Sequence, residues 1–294
     1  MQPEAGIVFG KLAAGQSVRI SGRAERPIFF NSQNQTIAAQ NLDGERYFAF
    51  INVEPGAHLV YLTSSIGTEL AGVGIPVLGG NSTFVDMSGS QRVSMRGRVL
   101  DGGDVSTRPL GRVRVRILGK TGAEAETDSS GRFRMDDVVT IGSHPVFVET
   151  DAPSGYTHRY QIRPEQTGSV TLFRMDQQNI QTYLSQLEGA ISPESGLILT
   201  ALPNLINGLG MGARVMPDIK SLSVNPTLHP ELYTISGNGQ LQVGAPMTAG
   251  SSRTIAVQVP DGPVLMSLRN SKKNTVWSEI VISSPGVVSL IGPY

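Results

Sequence analysis

Three segments of the 294-residue chain repeat one pattern: a strand rich in β-branched residues, a turn containing glycine, and a second strand whose apolar residues alternate. Aligned on that glycine, the segments are INVEPGAHLVYL around Gly56, VVTIGSHPVFV around Gly142 and VQVPDGPVLMSL around Gly262. The glycines are spaced by about 100 residues, which is the size of a small β-sandwich domain. The repeat therefore predicts three tandem domains of one kind.

The repeat also predicts which side chains face a core. Residues four and six positions after each glycine fall on one face of the second strand, because side chains alternate along a strand. These residues are Val60 and Leu62, Val146 and Val148, and Met266 and Leu268. Each segment is followed by another strand, a Pro/Gly turn and a closing strand. A chance likeness between hairpins is the alternative, and it explains this second match less readily.

Composition favours the same fold class. The chain has 34 Gly and 18 Pro, and only 16% of its residues are charged. Average proteins contain about 7% Gly and about 25% charged residues. Much glycine and proline with few charges is typical of many short strands joined by turns, rather than of long helices. We therefore expect an all-β chain.

We predict three tandem β-sandwich domains, transthyretin-like or immunoglobulin-like, with one short linker helix. The first domain spans residues 1–90, the second 93–175, the helix 176–188, and the third 189–294 with an insertion. The helix is indicated by apolar residues at helical spacing: Ile180, Tyr183, Leu184 and Leu187. Asp176 can cap its start and Gly189 its end.

The segment 111–118 reads as a strand with one buried and one solvated face. Val113, Val115 and Ile117 alternate with three arginines: Arg112, Arg114 and Arg116. Alternation of this kind is typical of an antiparallel strand at the surface of a sheet. We expect the arginines to face solvent and to pair with acids on a neighbouring strand, such as Glu124 and Glu126.

Several short motifs lie between residues 95 and 175: Gly97-Arg98-Val99, Arg108-Pro109-Leu110-Gly111, Thr127-Asp128-Ser129-Ser130-Gly131-Arg132-Phe133, Gly142-Ser143-His144 and Gly155-Tyr156. In the third motif, Asp128 can cap a tight turn, Gly131 can take a positive φ, and Phe133 can fill the core. With its T-D-x-x-G-x-F turn, this region resembles the carboxypeptidase regulatory-like family, whose modules are transthyretin-like β-sandwiches. His144 stands where that family usually has tyrosine.

The resemblance implies a non-catalytic module of secreted and surface proteins. We therefore expect a non-enzymatic structural or adhesive protein of bacterial type that is secreted, periplasmic or at the cell surface. Its partner would be a protein or a glycan bound by loops at domain ends. A carbohydrate-binding accessory protein is the alternative, and a hydrolase with a site between domains is a third hypothesis. Exposed coplanar aromatic rings would favour the second, and paired acids in a cleft the third.

Charge and motif content exclude several other functions. The charges of the 24 basic and 24 acidic residues cancel. Proteins that bind nucleic acids or anionic membranes usually carry an excess of basic residues. The absence of cysteine excludes disulfides and thiolate ligands, and no apolar run is long enough for a membrane helix. No nucleophile elbow or HExxH motif occurs. We expect no catalytic residue, cofactor, metal, membrane span or nucleic-acid partner.

Three aromatic residues are candidates for stacking against a sugar: Tyr156, Tyr160 and Trp277. Core packing is the alternative for each of them, and it is favoured because the whole chain has only one Trp. His58 and His144 occupy equivalent positions in two repeats. This equivalence indicates a structural role at a strand start rather than a shared metal site.

Overall fold

The computed structural model describes residues 5–21, 26–41, 43–102, 108–120, 122–151, 156–175, 177–187, 192, 194–210, 212–222 and 228–292. Within these residues the chain forms 23 strands and two short helices, α1 (Gln177–Leu184) and α2 (Pro203–Gly208). The predicted all-β class is confirmed. Helix α1 lies in the predicted linker segment, whereas α2 was not predicted. The proposed capping residues of the linker helix, Asp176 and Gly189, lie outside the described residues, as does Gly155.

The first sandwich is built from eight strands: β1 (Gly6–Leu12), β2 (Gln16–Ile20), β3 (Ile28–Phe30), β4 (Thr36–Ile37), β5 (Arg46–Val53), β6 (Gly56–Ser64), β7 (Glu69–Val77) and β8 (Ser82–Asp86). They form a five-stranded sheet, in the order β4-β3-β5-β1-β8, and a three-stranded sheet, in the order β2-β6-β7. One apolar core includes side chains from both sheets, among them Phe48 and Val60.

The second sandwich follows with seven strands: β9 (Ser90–Asp101), β10 (Arg114–Ile117), β11 (Glu124–Glu126), β12 (Arg132–Ile141), β13 (Val146–Thr150), β14 (Thr157–Ile162) and β15 (Val170–Arg174). One sheet has the order β12-β9-β15, and the other begins β11-β10-β13-β14. Phe133 is buried in the core between them, and Arg114 is exposed, as the alternation of the two strands predicts.

The third sandwich has eight strands: β16 (Gly196–Ala201), β17 (Met216–Ser221), β18 (Glu231–Ile235), β19 (Leu241–Val243), β20 (Arg253–Val259), β21 (Gly262–Arg269), β22 (Thr275–Ser283) and β23 (Val287–Ile291). Its sheets have the orders β23-β16-β20-β18-β19 and β17-β21-β22. Its core includes Ile198 from the first sheet and Met266 from the second.

The three sandwiches share one topology, so the sequence repeat corresponds to a structural repeat. In each, the first strand pairs antiparallel with the strand before the repeat glycine and parallel with the last strand. In each, the strand after the glycine pairs on both sides within the opposite sheet. Gly56, Gly142 and Gly262 therefore lie where the chain crosses between sheets, and all three have positive φ. The six residues predicted to face the cores are buried.

The turn that carries the family resemblance is built as the sequence predicts. The Asp128 carboxylate accepts hydrogen bonds from the backbone amides of Ser130 and Arg132 at 2.8 and 2.9 Å. The bond from the Arg132 amide, with those from Ser130, lowers the pKa of Asp128. Gly131 has a φ of 72°, and a Cβ there would lie 2.6 Å from the Val99 carbonyl oxygen. Only glycine therefore suits this position.

The second and third sandwiches share one sheet. Strand β14 pairs in parallel with β23, which joins the two halves into a nine-stranded sheet. Helix α1 packs on this shared sheet, since Ile180 and Tyr183 belong to one core with residues of both sandwiches, such as Tyr160 and Ile255. The linker segment is therefore packed on the sheet rather than extended between separate bodies.

The first and second sandwiches are joined by the ladder between β9 and β12. Its register shifts between Met135 and Val138, where Asp137 has a φ of 59°. Beyond this bulge, Val139 and Ile141 pack in the core of the first sandwich. A bulge changes which face a strand presents, so one strand serves two cores.

The arginine strand β10 alternates as predicted, with Val115 and Ile117 buried and Arg114 and Arg116 exposed. The acids that form ion pairs with it differ from the expected ones. Glu124 and Glu126 lie opposite the arginines in register, but Arg116 pairs with Glu149 on β13, at 2.7 Å.

Candidate functional site

One row of apolar side chains crosses the outer face of the five-stranded sheet. The row follows the strand register across β3, β5, β1 and β8: Ile28, Ala49, Phe9 and Phe84. Ile28, Phe9 and Phe84 are 36%, 39% and 53% exposed. The ring centroids of Phe9 and Phe84 lie 5.2 Å apart with a tilt of 57°. Exposed apolar side chains that adjoin one another in this way form a candidate interaction surface. We call these four residues the apolar row.

The row arises because strand β5 is apolar on both faces. Phe48 and Phe50 point into the core, whereas Ala49 and Ile51 point outward. An antiparallel strand with one solvated face normally alternates apolar and polar residues, and a strand apolar on both faces is normally covered on both. The sequence RYFAFINV of β5 therefore indicates that the outer face of this strand is covered rather than exposed to solvent.

A second, more polar row borders the first. It runs through Phe30, Tyr47, Lys11 and Asp86 in the same register. Lys11 Nζ lies 2.9 Å from Glu45 Oε1, and this hydrogen bond raises the pKa of Lys11. The apolar row is thus bordered by polar groups on one side, whereas Ile51, which is 43% exposed, extends the apolar surface on the other.

The structure separates the three aromatic residues predicted as sugar-stacking candidates. Tyr160 is buried in the second core, and its hydroxyl donates to the Phe173 carbonyl oxygen at 3.2 Å. Burial raises the pKa of Tyr160. Tyr156 precedes β14 and packs against the same core, whereas Trp277 lies on β22 in the third sandwich. The three rings therefore form no common platform, and Trp277 lines a cavity.

That cavity, of about 590 Å³, lies between the second and third sandwiches. Trp277 and Leu205 supply apolar wall, and Gln161, Arg163 and Glu279 are among its polar residues. Burial raises the pKa of Glu279, and the positive charge of Arg163 opposes this shift. An aromatic ring beside amide, carboxyl and guanidinium groups provides both the stacking surface and the hydrogen-bonding groups that a sugar requires.

The structure defines the surroundings of two histidines, His58 and His158. In the part of the chain that the structure describes, no group of three or more His, Asp or Glu side chains is arranged to hold a metal ion. Both ring nitrogens of His58 contact backbone carbonyl oxygens, those of Ser21 and Glu54. His158 is buried in β14, and its ring nitrogens have no hydrogen-bond partner of standard geometry among the described residues. Burial, together with the charge of Arg174, lowers the pKa of His158 to about 4.

The apolar row was missed at the sequence level because it depends on pairing between strands distant in sequence. Phe9 and Phe84 meet through the parallel pairing of the first and last strands of the sandwich. The only local signal was the two-sided apolar pattern of β5. Neither α1 nor α2, the helices of the described chain, is long and apolar enough to cross a membrane.

No protein-family model matches the chain. No characterised protein sequence matches it either. Among solved structures, the Bacillus anthracis TIE protein is 12% identical with a TM-score of 0.19, and the match covers 98% of this chain but 50% of that protein. The chain thus spans about half the length of that relative.

Two further structures show similar values. A streptococcal ancillary pilin is 9% identical with a TM-score of 0.21, covering 98% of this chain and 99% of its own. A CBM26 module from Eubacterium rectale Amy13K, solved with maltoheptaose, is 11% identical with a TM-score of 0.19, covering 57% and 91%. These values do not support transferring a function, and the fold assignment stands on the strand pairing described above.

Proposed function

We propose that the chain is a non-enzymatic structural or adhesive protein, secreted, periplasmic or at the cell surface, that binds a partner protein through the apolar row. The proposal rests on one observation. Four residues lie opposite one another on adjacent strands of an exposed sheet face: Ile28, Ala49, Phe9 and Phe84. Leaving this row in water is unfavourable, at about 25 cal/mol for each Å² of apolar surface. A partner that covers it recovers that free energy.

The joined architecture supports a structural role. Backbone hydrogen bonds join the second and third sandwiches in one nine-stranded sheet, and the ladder between β9 and β12 contributes to the cores of the first and second. The domain limits, 1–90, 93–175, 176–188 and 189–294, and the carboxypeptidase regulatory-like assignment of residues 95–175 belong to the same proposal. The capped turn at Asp128 supports the family assignment.

The test is binding to an array of purified extracellular proteins by the wild type and two double variants. F9S/F84S removes the centre of the apolar row. F173S/I280S removes two side chains of similar exposure, 37% and 41%, from other sheets and is the matched control. We expect F9S/F84S to weaken binding at least about tenfold, which corresponds to about 1.4 kcal/mol, and the control to bind as the wild type does. Equal weakening by both variants, or no binding by the wild type, would contradict the proposal.

A second candidate function is glycan binding in the cavity lined by Trp277. The observation that favours it is the half-buried indole beside Gln161, Arg163 and Glu279. A glycan array tests it with the wild type and W277A, and binding that W277A removes would establish this function. Turnover of esterase, glycosidase or peptidase substrates that E279Q abolishes would instead overturn the non-enzymatic proposal.

A further inference from the structure

Four arginine side chains form a two-by-two cluster on the outer face of the β12-β9-β15 sheet. Arg132 lies directly opposite Arg98, and Arg134 directly opposite Arg96. All four are exposed, and we call them the arginine quartet. The sequences Arg96-Gly97-Arg98 and Arg132-Phe133-Arg134 encode it, because alternate residues of a strand share one face.

Gly97 and Phe133, the middle residues of these two triplets, pack together on the core side of the sheet. Phe133 is buried in the core, and a Cβ on Gly97 would lie 2.8 Å from its ring. Gly97 is thus in close contact with Phe133, and neither strand can shift without disturbing the core. The positions of the arginine backbones are therefore fixed by packing.

The quartet is electrostatically unfavourable in the protein alone. Like charges directly opposite each other on paired strands destabilise a sheet. Among the described residues, Arg96, Arg98 and Arg132 make no ion pair, and Arg134 pairs with Asp136 at 2.9 Å. Asp136 also interacts with Arg96, and Asp128 interacts with Arg132, so two carboxylates face four guanidinium groups. An excess of cations of this kind is expected where an anionic ligand supplies further negative charge.

The surroundings of the quartet indicate the kind of anion. The four arginines border an open depression of about 630 Å³. Ser169 and Thr171, beside β9, contribute hydroxyl groups to it. Glu126 and Asp128 lie at its edge, and Oδ1 of Asp128 accepts hydrogen bonds within its own turn. A ligand must therefore form hydrogen bonds with both guanidinium and hydroxyl groups, and its negative charges must not lie close to the two carboxylates.

We propose that the arginine quartet binds an acidic polysaccharide, whose carboxylates alternate with sugar hydroxyls. Guanidinium groups bind carboxylates through two parallel hydrogen bonds. The backbones that carry the quartet are about 5 Å apart between strands and about 7 Å apart along a strand. Duplex DNA carries one charge per about 1.7 Å, so it would bring more phosphates against Glu126 and Asp128 than the arginines can neutralise.

The experiment measures binding of the whole chain to polygalacturonate, to dextran as the neutral polymer, and to duplex DNA. The test variant is R98Q/R132Q, which removes one arginine from each strand. The control is R114Q/R269Q, which removes the same charge from arginines on other sheets, each in an exposed ion pair. Thermal unfolding of each variant establishes that it is folded.

We expect polygalacturonate to bind and dextran not to bind. R98Q/R132Q should weaken polygalacturonate binding at least about tenfold, because charge-assisted hydrogen bonds are the stronger class, and the control should stay within about twofold. Binding should also weaken as salt concentration rises. Equal effects of the two variants, no binding of polygalacturonate by the wild type, or tighter binding of DNA would each overturn the proposal.

Discussion

Arg159 holds the carboxylate of Glu149 through two nitrogens, with Nε at 3.1 Å and Nη2 at 3.0 Å from Oε1. Arg116 binds the other oxygen, Oε2, at 2.7 and 3.0 Å. Glu149 is 2% exposed. The same Arg159 reaches Ser284 Oγ at 3.2 Å, so this ion cluster joins the second sandwich to the third.

The first prediction concerns this cluster. Glu149→Gln leaves Arg159 buried without its counter-ion, and breaking a buried pair from one side typically costs about 3–5 kcal/mol. We expect a loss of that size in the free energy of unfolding, measured by urea denaturation. Asp151→Asn is the control, because its partner Arg114 is exposed and 3.6 Å away, and it should cost less than about 1 kcal/mol. Similar losses for both variants would show that the cluster does not stabilise the junction.

The second prediction concerns the core below the arginine quartet. Phe133→Ala should lower the free energy of unfolding by about 3–5 kcal/mol, because the ring is buried and in contact with Gly97. Phe173→Ala removes a ring that is partly exposed on the same sheet and should cost less than about 1 kcal/mol. Urea denaturation compares the two variants. A loss below about 1 kcal/mol for Phe133→Ala would mean that the site relaxes around the gap.

The third prediction concerns acid stability. The pKa of His158 is lowered from 6.5 to about 4 in the folded chain. Between these values the unfolded chain binds a proton that the folded chain does not, so stability is present above pH 6.5 and is lost as the pH falls toward 4. The expected contribution is about 3 kcal/mol over this window.

His158→Phe should remove that contribution and retain a buried ring. We expect its free energy of unfolding to fall less steeply than that of the wild type between pH 6.5 and 4, in urea titrations at several pH values. Other groups, such as Asp128, titrate in both proteins, so the difference between the two curves isolates His158. Parallel curves would exclude His158 as a source of acid sensitivity.

The sequence predicted the features of the fold that depend on residues close together in the chain. Alternation of apolar and charged residues placed Val115 and Arg114 on opposite faces of β10. The three repeat glycines marked the points where the chain crosses between sheets, since backbones with positive φ favour glycine. The turn at Asp128 was readable for the same reason, because its hydrogen bonds join residues two and four apart. Tandem sandwiches of one topology follow from these features.

What could not be predicted depends on register between distant segments. The parallel pairing of β14 with β23 merges two sandwiches, and no sequence pattern specifies which edge strands meet. The arginine quartet and the apolar row likewise exist only because Arg132 lies opposite Arg98 and Phe9 beside Phe84. Trp277 was one of three aromatic candidates in the sequence, but the cavity that it lines requires residues from two sandwiches.

The last prediction concerns the point where all three sandwiches meet. A Cβ on Gly74 of β7 would lie 2.5 Å from Ile282 Cδ1 and 2.6 Å from Phe147 Cζ. These neighbours belong to the third and second sandwiches, so Gly74 permits close contact of three domains. Gly74→Ala requires the flexible end of Ile282 and the buried ring of Phe147 to move, and overpacking of this kind typically costs about 1–3 kcal/mol.

We expect a loss of that size in urea denaturation, together with faster cleavage by a protease at the junctions, because the loosened first sandwich exposes them. Gly250→Ala is the matched control, since a Cβ there meets nothing within 4 Å. Its stability should match that of the wild type within about 0.5 kcal/mol. If Gly74→Ala behaves as this control does, the first sandwich does not pack against the other two in solution, and the three sandwiches do not act as one body.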